Sequence, residues 1–97
     1  MTQPMARIYG ALGDHLAARA AAGEGRTTLP LAAIETQILA RPLPRTARHP
    51  RLHRQWWRGH GAGFPHAWYG WQRAGWTVEA VDLAAGTVTF MRTGRGN

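Results

Sequence analysis

The spacing of apolar residues predicts two helices in the first half of the chain. Ile8, Leu12 and Leu16 recur every four residues and would form one stripe, which predicts a helix over about residues 7–22. A second helical pattern, LAAIETQILA, covers residues 31–40 and is ended by the proline that follows it. Each helix has one apolar face, so both need a partner to pack against.

The C-terminal part has the alternation typical of a β-hairpin. Residues 76–82 and 87–92 are β-prone runs, and the short connection LAAG at 83–86 joins them. Strict alternation would place Val78 and Ala80 on the same face of the first strand. This hairpin is the firmest local prediction in the chain.

Prolines divide the segment between the second helix and the hairpin into short pieces. Pro44 and Pro50 are each expected to begin a short helix, because proline suits the first helical turn. The second of these pieces, RLHRQWWR, would bury Trp57. A further helix, PHAWYGWQRA, is predicted over residues 65–74, with Trp68 and Trp71 on its core face and with His66 and Arg73 more exposed.

The element order predicts the fold class. A helix, a short strand over residues 26–31, a helix, helical segments and a hairpin form a small α+β domain that is winged-helix-like. Pro30 limits the short strand to a sheet edge, because it has no N–H to donate. We expect one domain over residues 1–97, with its core at about 7–92 and frayed ends.

Composition then narrows the function. The chain has 97 residues and a net charge of +7, and all twelve of its basic residues are arginine. Such a balance favours nucleic acid, an anionic membrane surface or an acidic protein. The absence of cysteine excludes disulfides and thiolate metal sites, and the absence of serine excludes a serine triad. No apolar run approaches the roughly 20 residues of a membrane span, so a cytoplasmic protein that does not act at a membrane is expected.

The basic and aromatic residues are concentrated in one segment, residues 41–76. It contains all five tryptophans, seven of the twelve arginines and four of the five histidines, and no carboxylate. Cationic groups interleaved with flat rings suit nucleic acid, whose phosphates and bases they would contact. The sequence therefore predicts a nucleic-acid-binding protein. We expect its ligand to be DNA rather than RNA, and a regulatory role is one function that such binding could serve. The predicted contact residues are Arg41, Arg45, Arg48, Arg51, Arg54, Trp56, Arg58, His60, His66 and Arg73.

Several alternatives stay open at this stage. An arginine-rich module could instead bind an acidic protein, as a phage-encoded inhibitor or adaptor does, and tryptophan and arginine are favoured at such interfaces. His49 and His53 are four residues apart and could begin a metal site, although no metal or other cofactor is expected. Glu35 is either a solvated or capping residue or the partner of an arginine in the basic segment. No nucleophile or acidic cluster indicates an enzyme, and a homodimer is neither indicated nor excluded.

The sequence also resembles a family of small bacterial domains of unknown function. The matching pieces are GDHL at 13–16, Thr28-Leu29, Ile34-Glu35, LPRTAR at 43–48, the pair Trp56-Trp57, AGWTV at 74–78, Val81-Asp82 and VTFMR at 88–92. The asparagine that follows the tryptophan pair in the family is absent, since Arg58 and Gly59 stand there. The resemblance implies one α+β domain of bacterial or phage origin and supplies no activity.

Overall fold

The helices and strands follow one another along the chain in the order that the sequence predicts. A computed structural model describes residues 4–59 and 63–93. In this part of the chain no helix is long and apolar enough to cross a membrane. The α+β fold class and the element order are confirmed. The elements are α1 (Met5–Ala21), β1 (Arg26–Pro30), α2 (Leu31–Ala33) with a π-helical continuation (Ile34–Ile38), a 3₁₀ turn (Arg45–Arg48), α3 (His53–Arg58), α4 (Pro65–Gly70), a second 3₁₀ turn (Gln72–Ala74), β2 (Trp76–Asp82) and β3 (Thr87–Arg92).

The three strands form one antiparallel sheet in the order β1-β3-β2. The hairpin β2–β3 is therefore extended by β1, which pairs with β3 so that Leu29 lies opposite Val88. Leu29, Val88 and Phe90 are buried on the inner face. Pro30 ends β1 at a sheet edge, as predicted, because an edge strand needs no N–H donor on its open side.

A β-bulge at Glu79 changes which side chains of β2 face the core. Val78 lies opposite Phe90, but the next paired residue is Ala80, opposite Thr89, so Glu79 is the extra residue. Val78 is buried, whereas Ala80 is exposed. The prediction that Val78 and Ala80 share a face is wrong, because the inserted residue reverses the alternation after Val78.

Three tryptophans form the centre of the core. Trp57, Trp71 and Trp76 are among the largest fully buried side chains, and the rings of Trp57 and Trp71 stack with centroids 5.2 Å apart. A buried indole N–H group needs an acceptor, and for two of these tryptophans it is a backbone carbonyl. Trp57 donates to the carbonyl of Ala47 at 2.9 Å, and Trp76 donates to the carbonyl of Leu16 at 3.0 Å. These bonds tie α1 and the first 3₁₀ turn to the core.

The crossing of α1 over α4 depends on Gly13. A methyl group at Gly13 would lie 2.6 Å from the carbonyl oxygen of Tyr69, which is closer than any such contact can be. On the facing helix, Gly70 lies against Tyr9 and Leu12. Glycine lowers helix propensity within α1, but here it permits the close approach of two backbones.

Trp68 does not share the core with Trp71. Its side chain is 51% exposed, whereas that of Trp71 is 1% exposed. The prediction of a shared core face is wrong because the backbone leaves helical geometry at Trp71, where φ is −150° and ψ is −35°. Three-residue spacing places two side chains on one face only while the helix continues.

Candidate nucleic-acid interface

Glu35 fixes the start of the basic segment. The π-helical turn that contains it ends in a chain reversal, at which Ala40 has a φ of 56° and the N–H of Arg41 donates to the carbonyl of Glu35 at 2.9 Å. The Glu35 carboxylate then accepts the backbone N–H of Leu43 at 2.7 Å. The side chain of one residue therefore orients the chain that follows the helix.

The same carboxylate binds Arg48 through both of its oxygens. The two guanidinium N–H···O distances are 2.7 and 2.8 Å, which is the bidentate geometry that suits arginine and carboxylate. The hydrogen bonds from Arg48 are the main cause of a lowered Glu35 pKa, with the Leu43 N–H adding to it. The interpretation of Glu35 as an arginine partner is confirmed. Arg48 is consequently engaged within the protein by a carboxylate.

Histidines form the turn that leads into α3. Nδ1 of His49 accepts the backbone N–H groups of Arg51 at 3.0 Å and Leu52 at 3.2 Å. His53 in turn donates from its Nδ1 to the carbonyl of His49 at 2.8 Å. The contacts of His49 satisfy two backbone donors in the turn that precedes α3. Both Nδ1 atoms thus have a structural role.

His49 and His53 were considered as the start of a metal site. Across residues 4–59 and 63–93, no three His, Asp or Glu side chains converge on a point where they could hold a metal ion. His49 and His53 therefore stand without further ligands in this range. His60, which the sequence also proposes as a contact residue, lies outside the described residues.

Trp56 and His66 are buried against each other. Each is only 8% exposed, and their rings stack with centroids 4.2 Å apart and an interplanar angle of 15°. Nε2 of His66 donates to the carbonyl of Trp56 at 2.8 Å, and burial lowers the pKa of His66. The prediction that His66 is exposed is wrong. At 8% exposure, Trp56 offers only a small part of its side chain to the surface.

Three exposed arginines project from α3 and the turn before it. We call Arg51, Arg54 and Arg58 the arginine ridge. Arg54 and Arg58 are one helical turn apart and line a cleft of about 230 Å³ between α3 and residues 79–81 of β2. Arg58 also donates to the carbonyl of Glu79, which fixes α3 against the edge of the sheet.

In the described residues, no carboxylate forms an ion pair with the outer part of the ridge. Glu79 lines the same cleft as Arg54 and Arg58, but its carboxylate is paired with Arg26. Three of the five carboxylates are already paired, in Glu24–Arg19 at 3.1 Å, Glu35–Arg48 at 2.7 Å and Glu79–Arg26 at 2.7 Å. Within the described ranges, no carboxylate oxygen lies within 4.0 Å of Arg51 or Arg54. Positive charge is therefore left uncompensated along one side of α3.

The remaining predicted arginines lie at other positions. Arg45 is exposed in the 3₁₀ turn that packs on α3. Arg41 is exposed beside an open depression of about 550 Å³, which Glu35 also lines. Arg73 lies over the ring of Tyr69 at 5.7 Å, and its guanidinium is beside Gly10 of α1. The structure thus brings some of the predicted contacts together on α3 and places Arg73 against α1.

A second cleft was not foreseen from the sequence. It has a volume of about 240 Å³ and is lined by Thr46, Leu52, Gln55, Trp56 and Phe64. Leu52 is 45% exposed and forms part of the wall of this cleft. The sequence does contain a signal for this exposure. Leu52 lies five residues before Trp57, and on a helix that spacing places the two side chains on different faces.

Comparison with known proteins places the chain in a family. Residues 9–94 match the model of a family described as Domain of unknown function (DUF7662). No curated protein and no solved structure matches the chain. The match spans nearly all of the elements described above, from α1 to β3. The expected resemblance to a small family of unknown function is confirmed, and the chain belongs to the DUF7662 domain family.

Proposed function

We propose that this protein binds nucleic acid, with DNA preferred over RNA, through the arginine ridge, and that it does so without catalysis. Arg45 and Arg41 are flanking contacts. The observation that carries the proposal is the absence of any carboxylate within 4.0 Å of Arg51 and Arg54 in the described residues. Uncompensated guanidinium groups on one short helix repel one another, and a polyanion relieves that repulsion.

The chemistry of the ridge suits phosphate. A guanidinium group presents a planar fork of N–H donors that matches two phosphate oxygens. Among residues 4–59 and 63–93, the side chains of Arg51 and Arg54 make no hydrogen bond that would occupy those donors. Each arginine placed on a phosphate releases condensed counterions, so affinity should fall steeply with salt. Arg58 can still bind phosphate through its remaining N–H groups, since one of its nitrogen atoms is hydrogen-bonded to the carbonyl of Glu79.

Arg73, which lies against α1, and His60, which lies outside the described residues, are not part of this site. Three further predicted contacts are left out because they are engaged or buried. Arg48 is held by Glu35 through both of its terminal nitrogens. Trp56 and His66 are buried in a stack within the core. Their contribution is to shape the segment that carries the ridge, and a change at any of them would alter stability first.

The experiment is an anisotropy titration with short single-stranded and double-stranded DNA and RNA at two salt concentrations. The variant Arg51→Ala/Arg54→Ala is compared with Arg7→Ala/Arg92→Ala, which removes two exposed arginines from α1 and from the end of β3. Both variants lower the net charge equally. We expect the ridge variant alone to weaken binding, and its plot of log affinity against log salt to be shallower by about 2.

Two results would count against the proposal. Equal losses in the two variants would mean that net charge, and not the ridge, determines affinity. No binding at low salt to any of the four ligands would exclude nucleic acid and direct attention to an acidic protein as the partner of the ridge.

A further inference from the structure

The cleft lined by Thr46, Leu52, Gln55, Trp56 and Phe64 lies on a different side of α3 from the cleft that Arg54 and Arg58 line. Its walls are the side chain of Leu52, the small exposed part of the Trp56 side chain and the half-buried ring of Phe64. Thr46 and Gln55 add a hydroxyl and an amide that can form hydrogen bonds. An apolar slot with a few polar groups at its rim is the usual composition of a site for a small organic group.

The size of the cleft restricts its occupant. A volume of about 240 Å³ is below the roughly 300–1,000 Å³ typical of pockets for whole small-molecule ligands. One flat ring suits such a space better than a complete cofactor does. The occupant must also tolerate a strongly basic surrounding, which excludes cationic groups.

The chain connectivity links the cleft to the arginines. Arg45 precedes Thr46, Arg51 precedes Leu52 and Arg54 precedes Gln55, so each of three exposed arginines is next in sequence to a lining residue. A sugar-phosphate backbone bound by these arginines therefore has its bases within reach of the cleft. Base stacking on apolar and aromatic side chains beside a basic track is the usual way in which proteins bind single strands.

We infer, resting on the proposed function, that this cleft takes one unstacked base of a single-stranded nucleic acid while the ridge holds the flanking phosphates. A duplex keeps its bases stacked and paired, so it gains only the phosphate contacts. The protein should therefore bind a single strand more tightly than a duplex of equal length at the same salt concentration.

The first test compares a ten-nucleotide DNA single strand with an abasic oligomer of the same length and charge. We expect the normal strand to bind at least about fivefold more tightly, which is the lower end of the gain from stacking one base. Leu52→Gln should reduce that ratio towards one and leave the affinity for the abasic oligomer unchanged. Met91→Gln, which replaces another exposed apolar side chain on the sheet, is the matched control and should keep the ratio.

The outcomes separate the two proposals. If both oligomers bind equally, or if Leu52→Gln retains the ratio, the base site is refuted while binding through the ridge stands. If neither oligomer binds, both proposals fail.

A photochemical test does not depend on the folding of any variant. A strand carrying 5-iodouracil is cross-linked to the wild-type protein, and the modified peptide is identified by mass spectrometry. We expect the adduct on the peptide that contains Leu52 and Trp56 or on Phe64. An adduct confined to Trp68, the most exposed large apolar side chain described, would overturn the assignment.

Discussion

Removal of the Glu35 carboxylate tests how the basic segment is held in place. Glu35→Ala deletes three hydrogen bonds at once, two to the guanidinium group of Arg48 and one to the backbone N–H of Leu43. Arg48→Ala deletes only the first two. Comparison of the two variants therefore separates the ion pair from the backbone contact.

The geometry sets the size of the effect. The side chain of Arg48 is 42% exposed, so solvent screens the ion pair and it contributes at most about 1 kcal/mol. The bond from Leu43 is partly buried and has a charged acceptor, and it contributes about 1–2 kcal/mol. We expect Glu35→Ala to lower the free energy of unfolding by about 2–3 kcal/mol and Arg48→Ala to lower it by about 1 kcal/mol.

Urea denaturation of the two single variants and the double variant measures these values. The double variant should be no less stable than Glu35→Ala, which would give a coupling energy of about 1 kcal/mol between the two side chains. In thermal melts, Glu35→Ala should lower the Tm by about 8–20 °C. Strictly additive effects would refute the claim that Arg48 is held by Glu35, and its guanidinium would then be free for a ligand.

The effect of pH gives an independent check on the same contact. Because the folded state lowers the pKa of Glu35, the unfolded chain binds the proton more readily. The stabilisation is therefore complete above the unfolded pKa of about 4.3 and is lost as the pH falls through the lower folded value. The difference between the wild type and Glu35→Ala should shrink over that range, and a constant difference would contradict the assignment.

Three further predictions concern the backbone and the core. Gly13→Ala should destabilise the fold by at least about 1 kcal/mol in urea denaturation, since its methyl group would collide with the carbonyl oxygen of Tyr69 and separate two helices. Ala40→Gly should stabilise by about 0.5 kcal/mol, because the strain of a left-handed alanine exceeds the added flexibility of glycine; a loss of stability would contradict this. His66 has a pKa lowered by burial, so its share of stability is present above about pH 6.5 and declines as the pH falls through the folded value. His66→Gln retains a donor for the carbonyl of Trp56, so between pH 7.5 and 5 its Tm should fall less than that of the wild type. An equal fall in the two proteins would exclude protonation of His66 as a cause of the acid sensitivity.

Local patterns predicted the helices, the hairpin and the exposed arginines correctly. The four-residue stripe in α1 needs only one buried face, and Pro44 directly precedes the 3₁₀ turn. Pro50 does not begin α3, since residues 50–52 form a turn and the helix starts at His53. Arg54 and Arg58 lie on one exposed face because four residues make about one helical turn. In each case the information lies within a few residues of the feature.

Contacts between distant segments could not be predicted from such local patterns. Trp56 and His66 are ten residues apart, and only the folded chain shows that they stack. Arg48 resembles Arg51 in composition and setting, yet it meets a carboxylate thirteen residues earlier, which the periodicity does not indicate. The bulge at Glu79 depends on how β2 pairs with β3, so a strict alternation assigned Ala80 to the wrong face.

The bulge in β2 has a consequence for self-association. β2 is an edge strand, and an open edge invites pairing with a strand of another molecule, which is a common route to aggregation. The inserted residue Glu79 disturbs the regular spacing of backbone donors and acceptors, and Arg58 already occupies its carbonyl. On the opposite edge, Pro30 removes a donor from β1. Both margins of the sheet are thus poor templates for another strand, so a highly concentrated solution of this basic domain should resist growth by strand addition.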